Sequence, residues 1–389
     1  MRPIKTQFFL SFGVVGSLTP LMPLLLTRGK GLTPAQLGTA MALMSGASLL
    51  SPVIITLLAD TRSDPRRLLA GSLLMGALAL VGIHFATASA LVIALVGFYG
   101  LALVAVIPLQ DGFYFSAARS PGTKLPPPSY PLVRVWGTAG FIVPSIILYF
   151  AMEAGAPVPV ILAVGLVYCA LGAANTFLLR PLPALPRDAT KRLPTWEAAR
   201  ALFGSEARWF CLALAMAHAA APAFYAFFPL YLKERTGVPE STIGLIFCYG
   251  VFFEIFVSLA IPRLSARFGF RPLFLLGFGA LAFKMVVMAS SPGIGLVMLA
   301  QTFHGVEVMA LYILPVIYLN SLATDRFRNS IQGVYGMLVS GGAKIIGYQV
   351  AGFIAGYSLT AVFAWGAGLA LAALAIFALG FKPARSEAI

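Results

Sequence analysis

Residues 180–206 read RPLPALPRDATKRLPTWEAARALFGSE, the longest polar segment of a chain of 389 residues. Its prolines and basic side chains are typical of a linker exposed to water. The rest of the chain has the opposite character, because hydrophobic residues make up 59% of all positions and charged residues only 10%. Soluble domains carry about a quarter charged residues. A soluble core cannot hold this much apolar side chain, so we expect most of it to face lipid.

The apolar sequence divides into stretches that are mostly close to the ~20 residues a helix needs to cross a bilayer. The alternation that marks transmembrane strands is missing. We therefore predict an all-α integral membrane protein with twelve transmembrane helices in two six-helix bundles. The predicted domains are an N-terminal bundle at 1–179, a cytoplasmic linker at 180–206 and a C-terminal bundle at 207–389. The predicted helices span residues 4–27, 35–58, 68–87, 90–118, 133–153, 157–179, 207–232, 241–262, 272–290, 293–320, 332–356 and 359–380.

The distribution of positive charge predicts the orientation of these helices. With the N-terminus inside, 21 of the 27 lysines and arginines fall on the cytoplasmic side and four on the other, while Lys284 and Lys344 fall inside helices. This asymmetry follows the positive-inside rule. We predict a multi-pass protein of the inner (cytoplasmic) membrane with both termini cytoplasmic. Orientation accounts for the net charge of +14, so no nucleic-acid partner is expected. The first apolar run is too long for a cleavable signal peptide.

Features of the first half recur in the second half in the same order, which indicates the duplication of one six-helix unit. Two of the matches lie at an offset of 206 residues and a third at 207. Basic loops also follow both the second and the eighth predicted helices. The matched positions are MPL at 22–24 with FPL at 228–230, Gly38 with Gly244, and IPL at 107–109 with LPV at 314–316.

Few ionisable side chains fall inside the predicted helices, and each is a candidate for function because charge in hydrocarbon is costly. His304 and Glu307 are three residues apart, so they share one helix face. A carboxylate beside a cation at low dielectric can bind or release a proton, which suits proton coupling. The structural alternatives are a buried pair of Glu307 with Lys344 or Lys284, and a static pair of Glu254 with Lys284. The candidates are Asp111, Arg134, Glu254, Lys284, His304, Glu307 and Lys344.

Two further histidines, His84 and His218, sit among small or apolar residues. We expect both of them to serve packing rather than chemistry.

Two sets of six helices joined by a cytoplasmic linker resemble the major facilitator superfamily. The loop DTRSDPRR at 60–67 partly resembles the superfamily's Gly-x-x-x-Asp-Arg/Lys-x-Gly-x-Arg/Lys signature, without the glycines. The second copy, ARFGFR at 266–271, has Ala266 in place of the acid. The resemblance implies that Asp60 and Arg67 gate the cytoplasmic side. Charge that only sets the topology is the alternative.

The charged residues of the second half resemble the oligosaccharide:proton symporters. That family carries a basic residue in helix 9, followed by His-x-x-Glu in helix 10, and a lysine in helix 11. Lys284, His304, Glu307 and Lys344 match this pattern, together with RFG at 267–269. The resemblance implies that Glu307 is the coupling-proton site, tuned by His304 and Lys284, with Lys344 as a charge partner.

This chain departs from that family at two places. The seventh predicted helix has no aspartate to pair Lys344. Val251 stands where the family has a sugar-binding glutamate, so we expect the acid three residues later, Glu254, to take that role.

The most specific local match is RVWGTAGFI at 134–142, in the fifth predicted helix. It resembles the Arg-x-Trp-Gly-Thr/Ser-x-Gly-Phe-Ile motif of nucleoside:proton symporters and, more loosely, that of phenylpropionate permeases. Its glycines permit close helix packing, and a guanidinium can bind substrate oxygens at two points. The resemblance implies that Arg134 binds substrate and that Phe141 stacks on a substrate ring. Asp111 and Glu254 are predicted as further polar contacts.

The leading interpretation is a proton-coupled symporter that imports a small ring-bearing polar solute, such as a nucleoside or a sugar, by alternating access around a midplane site. Uptake of an aromatic carboxylate is the second, because Arg134, Lys284 and Lys344 could neutralise an anion. Proton-driven efflux of a drug or lipid is a weaker third. The sequence lacks HExxH, GxGxxG, GxSxG and P-loop motifs, so no enzyme activity is predicted.

The expected partners are the small-molecule substrate, protons and the lipid bilayer, and the protein is expected to be a monomer. No cofactor and no metal are expected, because the proton gradient would supply the energy.

Overall fold

The computed structural model describes residues 2–60, 64–119, 130–180, 200, 202–204, 207–322, 331 and 333–381, without the side chains of 51–60, 115–119, 131 and 320–322. These residues are almost entirely helical. The helices are α1 (Arg2–Leu18, continuing as Met22–Gly29), α2 (Pro34–Asp60), α3 (Pro65–Phe85), α4 (Ser89–Leu103, continuing as Val106–Arg119), α5 (Tyr130–Glu153), α6 (Val160–Leu178), α7 (Arg208–Arg235), α8 (Glu240–Phe268), α9 (Phe270–Ala289), α10 (Ile294–Thr302, continuing as His304–Leu319), α11 (Tyr335–Ala355) and α12 (Leu359–Gly380).

Most of these helices are long and apolar enough to cross a membrane. Within the described residues nine qualify, and the bent helices α1 and α10 bring the number to eleven. The remaining helix, α2, is 27 residues long but includes positions 51–60, whose side chains are not described. Large apolar side chains point outward, among them Leu78 at 68% exposure and Phe150 at 65%, as a lipid environment requires. The predicted all-α membrane fold is confirmed, with eleven of its twelve spans counted.

Three predicted helices are not continuous, which corrects their predicted form. Helices α1 and α10 each bend by 42° at a short break, and α4 is interrupted after Leu103. In α1 the break contains Pro20, which has no N–H and disfavours helical geometry at the residue before it. In α4 the ring of Pro108 conflicts with a helical carbonyl four residues earlier, at Val104.

Two helix starts show how local sequence sets the boundaries. Asp64 caps α3, because its carboxylate accepts a hydrogen bond from the backbone N–H of Arg66, and Pro65 occupies the first turn. Gly269 separates α8 from α9 with φ of 73°, a left-handed conformation that favours glycine. This requirement accounts for the last residue of the RFG sequence at 267–269.

The chain divides into two compact units. Unit 1 comprises Met1–Leu32, Leu43–Lys191 and Pro239–Leu245, and unit 2 comprises Thr33–Ala42, Arg192–Val238 and Ile246–Ile389. The main division falls within the predicted linker, but each unit also holds a short segment from the other half of the sequence.

A close backbone approach accounts for the segment of α2 that belongs to unit 2. A Cβ atom added at Gly38 would lie only 2.8 Å from the Cα of Gly352 on α11. The absence of side chains at these two glycines therefore lets the start of α2 pack directly on α11.

Candidate functional site

The most deeply buried charges of unit 2 form an ion pair between α9 and α10. The ammonium of Lys284 contacts the Oε2 atom of Glu307, and each side chain is only 1% exposed. The Nζ atom of Lys284 also lies 3.7 Å from the ring centroid of Phe224 on α7. Burying a single charge away from water is energetically costly. A site that excludes water can therefore hold an acid and a base that neutralise each other.

His304 lies beside this pair on the same face of α10. Its Nδ1 atom is 3.8 Å from Oε2 of Glu307. Its ring centroid lies 6.0 Å from that of Phe224 and 6.4 Å from that of Tyr225. The spacing of three residues therefore places the two side chains together, as the sequence predicts, inside an aromatic wall formed by α7.

Glu254 approaches this cluster from α8 but does not pair with Lys284, which binds Glu307 instead. The alternative of a static pair between Glu254 and Lys284 is therefore wrong. A Cβ atom at Gly305 would lie 2.6 Å from the Cα of Glu254, so α8 and α10 touch at this level. The half-buried carboxylate of Glu254 acts electrostatically on the phenols of Tyr225 and Tyr312.

Lys344 on α11 has a different environment from Lys284. Its ammonium lies over the ring of Tyr312, 4.6 Å from the centroid, and its side chain is half-buried. Among the residues that the structure describes, none places a carboxylate within 4.0 Å of this ammonium. The alternative of a buried pair between Glu307 and Lys344 is not formed, because Glu307 is bound to Lys284.

His218 on α7 is fully buried, as a packing residue would be, but it also makes a polar contact. Its Nε2 atom lies 3.1 Å from the hydroxyl of Tyr335 on α11. Its ring centroid is 5.6 Å from that of Tyr312. A buried histidine that contacts aromatic rings and has one polar partner fits a packing role, so the expectation for His218 stays a prediction.

Arg134 in unit 1 rests on an aromatic ring of α1. Its guanidinium carbon lies 3.9 Å from the ring centroid of Phe12. A Cβ atom at Gly140 would lie 2.0 Å from the carbonyl oxygen of Phe9. Helices α1 and α5 are thus in backbone contact, as expected from the glycines of the 134–142 motif, and Phe141 is half-buried beside this contact.

Asp111 and Arg134 belong to one polar group in unit 1. The hydroxyl of Tyr130 donates a hydrogen bond of 2.9 Å to Oδ1 of Asp111. The positive charge of Arg134 acts on the same carboxylate. Helices α4 and α5 therefore bring together an acid, a phenol and a guanidinium, which can recognise hydroxyl, amide or carboxylate groups by hydrogen bonds.

The loop before α3 holds an ion pair between Asp64 and Arg66, with 2.5 Å between Oδ2 and Nη2. Arg66 also donates a hydrogen bond of 2.9 Å to the carbonyl of Leu179 at the end of α6. Hydrogen bonding from Arg66 holds the pKa of Asp64 below its usual value. The side chain of Asp60 lies outside the described residues and Arg67 is exposed, so their gating role stays a prediction.

Some polar and aromatic partners could not be identified from the sequence. Phe12, Tyr312 and Tyr335 form the surroundings of Arg134, Lys344 and His218, but aromatic residues are too common in this chain to stand out. Asp64 had a recognisable signal, since an aspartate before Pro65 is typical of a helix N-cap. In the described part of the chain, no three His, Cys, Asp or Glu residues are placed to hold a metal ion.

Two relatives match most of this chain in sequence. A relative from Escherichia coli (strain K12), named as the nucleoside transporter YegT, is 25% identical over 355 residues, which cover 85% of this chain and 79% of that protein. A second relative from the same organism, named as a 3-phenylpropionic acid transporter, is 26% identical over 368 residues, which cover 92% of this chain and 91% of that protein.

A solved structure shows the fold. The crystal structure of the nucleoside transporter NupG matches with a TM-score of 0.85 over 98% of this chain and 99% of that chain, at 19% identity. The family model described as the MFS_1 like family matches residues 1–365. With nearly the whole chain matched in sequence and in fold, the protein belongs to the MFS_1 like family and is a membrane transporter of the major facilitator type, not an enzyme.

Proposed function

We propose that the protein is a proton-coupled symporter that imports a small ring-bearing polar solute by alternating access. The observation that carries the proposal is the buried group of Lys284, Glu307 and His304 in unit 2. The carboxylate of Glu307 is 1% exposed and lies beside two basic side chains. When it gains or loses a proton, its interactions with both of these side chains change strongly. A group of this kind can link the arrival of a proton to a change in helix packing.

The chemistry at this group is a single proton transfer. A proton that arrives on Glu307 removes the negative charge that neutralises Lys284. The ammonium then keeps only its contact with the ring of Phe224, at 3.7 Å, and a cation–π contact is weaker than an ion pair with a hydrogen bond. Proton binding therefore loosens the contact between α9 and α10, and proton release restores it.

The polar group of unit 1 supplies contacts for a solute. The guanidinium of Arg134 offers a planar set of donors, and its contact with Phe12 at 3.9 Å holds it in place. Phe141 offers an aromatic ring and Asp111 offers an acceptor. A nucleoside or sugar, with a ring and several hydroxyls, fits this chemistry. The relative YegT and the structural match NupG are both named as nucleoside transporters.

A second candidate substrate is an aromatic carboxylate. The relative that covers the larger share of this chain is named as a 3-phenylpropionic acid transporter. The cations Arg134 and Lys344 favour this candidate, because neither forms an ion pair within 4.0 Å among the described residues.

The proposal is tested with Glu307→Gln in proteoliposomes. The amide imitates the protonated carboxyl group, so accumulation driven by a pH gradient is expected to vanish while counterflow of pre-loaded solute persists. The assay uses uridine, a sugar and an aromatic acid. Glu153→Gln serves as the control, because Glu153 is an exposed acid at the end of α5 and should transport normally. Full gradient-driven accumulation by Glu307→Gln would remove Glu307 from proton coupling.

A further inference from the structure

A second polar cluster of unit 2 lies between α7, α10 and α11, and proton coupling does not account for it. It contains Lys344 and Tyr312, in cation–π contact at 4.6 Å, and His218 and Tyr335, whose polar atoms lie 3.1 Å apart. Tyr312 joins the two pairs, since its ring centroid is 5.6 Å from that of His218. We call these four residues the lysine–tyrosine cluster.

The charge of this cluster is not balanced in the described structure. Lys284 takes the carboxylate of Glu307, and Glu254 acts on the phenols of Tyr225 and Tyr312. No carboxylate of the described residues reaches within 4.0 Å of the ammonium of Lys344. A ring face neutralises a cation only in part. A lysine within a membrane helix and without an acid is therefore prepared to meet an anion from outside the protein.

The helices around Lys344 depart from regular geometry where they carry the cluster. Tyr312 lies in a π-helical turn at Met309–Ile313, and Tyr335 begins another at Tyr335–Gly341. Lys344 follows this second turn by three residues. Single π-helical turns occur frequently at functional sites, because they redirect the side chains that follow.

Helix α11 is also held tightly against α7 next to the cluster. A Cβ atom at Gly347 would lie 2.4 Å from the carbonyl oxygen of Ala219. The buried Nδ1 atom of His218 has no hydrogen-bond partner among the described residues. The cluster thus combines a close contact between two helix backbones, a half-buried lysine and an unused buried nitrogen, whereas a purely structural cluster satisfies its polar atoms.

Ring surface is available beside the cation. Tyr225 and Tyr312 are half-buried, and the ring of Tyr312 lies next to the ammonium, with its centroid 4.6 Å away. An anion that brings an aromatic ring can place its charge on the ammonium and its ring against these faces. A small inorganic anion would leave the ring faces unused.

We propose that Lys344 is the binding residue for a carboxylate of the transported solute, with Tyr312 beside it, so that the solute is an aromatic carboxylic acid in its anionic form. This inference rests on the proposed function, because it takes the chain to be a solute symporter. It assigns to Lys344 the role of substrate anchor rather than that of charge partner for Glu307.

The first experiment compares ligands on the purified wild-type protein at neutral pH. Phenylacetate and cinnamate are tested against their primary amides, which keep the ring and the shape but carry no charge. Binding stabilises the folded protein by mass action, so thermal shifts and calorimetric Kd values report it. We expect both acids to bind at least tenfold more tightly than their amides. Equal affinity for acid and amide, or no binding of either acid at millimolar concentration, overturns the proposal.

The second experiment changes the protein. Lys344→Met is expected to weaken acid binding at least tenfold and to abolish the preference over the amide, whereas Lys344→Arg retains the preference. The matched control is Lys5→Met, because the ammonium of Lys5 also lies near an aromatic ring, 5.8 Å from the centroid in Trp136. Wild-type affinity for the acids in Lys344→Met overturns the proposal. The ligand comparison stands on wild-type protein alone if Lys344→Met does not fold.

The outcome separates this inference from the proposed function. Uridine accumulation driven by a pH gradient, without any acid binding, rejects the role of Lys344 and leaves proton coupling intact. Acid binding that depends on Lys344, with uptake indifferent to the pH gradient, supports the role of Lys344 and rejects proton coupling.

Discussion

Two lysines of unit 2 lie within membrane-spanning helices, and their surroundings are opposite. Lys284 on α9 is 1% exposed, is bound to the equally buried Glu307 and lies over Phe224. Lys344 on α11 is half-buried and lies over Tyr312, with no carboxylate of the described residues at ion-pair distance. Each ammonium contacts an aromatic ring, but only that of Lys284 contacts a carboxylate.

The difference shows what each lysine can do. A fully buried ammonium needs its carboxylate for stability, because losing one partner leaves a bare charge at low dielectric. That dependence is what makes Lys284 responsive to the protonation of Glu307. The ammonium of Lys344 is half-buried and is stabilised by an aromatic ring, without a carboxylate. It can therefore bind an anionic ligand reversibly. We therefore expect Lys284 to govern stability and coupling, and Lys344 to govern binding.

The largest expected effect tests this contrast directly. Lys284→Met leaves the carboxylate of Glu307 buried without its partner, and breaking a buried pair in this way costs about 3–5 kcal/mol. The thermal unfolding midpoint in detergent, at a fixed heating rate, should fall by several degrees or more. The double variant with Glu307→Gln removes both charges and should recover most of the loss.

Lys344→Met is the matched comparison for Lys284→Met. It removes a lysine over an aromatic ring without stranding a buried acid, so its free energy of unfolding should change by only about 1 kcal/mol, the strength of a cation–π contact. Equal destabilisation by the two lysine variants would contradict the proposed difference between the lysines, since Lys344 would then have a structural partner of its own.

An effect smaller than that of Lys284→Met is expected on solute binding at Arg134, the cation of unit 1. Arg134→Lys keeps the charge but loses the planar donor set, so binding of the solute should weaken while the fold persists. The loss of one charge-assisted hydrogen bond, about 1.5–3 kcal/mol, corresponds to a roughly ten- to hundredfold higher Kd. Calorimetry measures this Kd, with the solute that the wild-type protein binds among uridine, the sugar and the aromatic acid. Unchanged affinity would leave Arg134 as a charge that only orients α5.

A small effect is also expected at the ion pair of Asp64 with Arg66, which lies outside the membrane-spanning helices. Asp64→Ala removes the cap of α3 and should cost about 0.5–2 kcal/mol at neutral pH. The pKa of Asp64 is lowered, chiefly by the hydrogen bond from the side chain of Arg66. Its contribution is therefore complete above the unfolded-state pKa of about 3.9 and is lost as pH falls through the lowered folded-state pKa.

The measurement for Asp64 is the difference in unfolding midpoint between wild type and variant, followed from neutral pH to about pH 3. Taking the difference cancels the titration of every other acid. A gap that persists unchanged at the acid end would show that the cap does not depend on the charge of Asp64.

The fold could be predicted because hydropathy and length specify membrane helices almost by themselves. Helix α3 was predicted at 68–87 and spans Pro65–Phe85. The proximity of His304 to Glu307 also followed from helix geometry. The bend in α10 could not be foreseen, because an apolar run reads the same whether its helix is straight or bent. The bend in α1 had a signal in Pro20, which the predicted continuous helix overlooked.

The partners of the cations were harder to predict than the cations themselves. The ring of Phe12 lies on a different helix from Arg134, and the ring of Tyr312 lies on a different helix from Lys344. The chain has 30 phenylalanines and 13 tyrosines. Their spacing in the sequence does not distinguish a ring that contacts a cation from one that faces lipid. The choice of Glu307 over Glu254 as the partner of Lys284 was likewise fixed by packing between helices.

The π-helical turn at Met309–Ile313 also bears on the ancestry of the two halves. The offset between matched positions rises from 206 at Gly38 to 207 at Pro108, so the second half holds one additional residue between Gly244 and Pro315. A π turn closes its hydrogen bond one residue later than an α turn, and this one ends just before Pro315. A turn of this kind can hold one additional residue without rotating the rest of α10. We therefore expect an alignment of the two halves of this chain to place its gap at the turn that carries Tyr312.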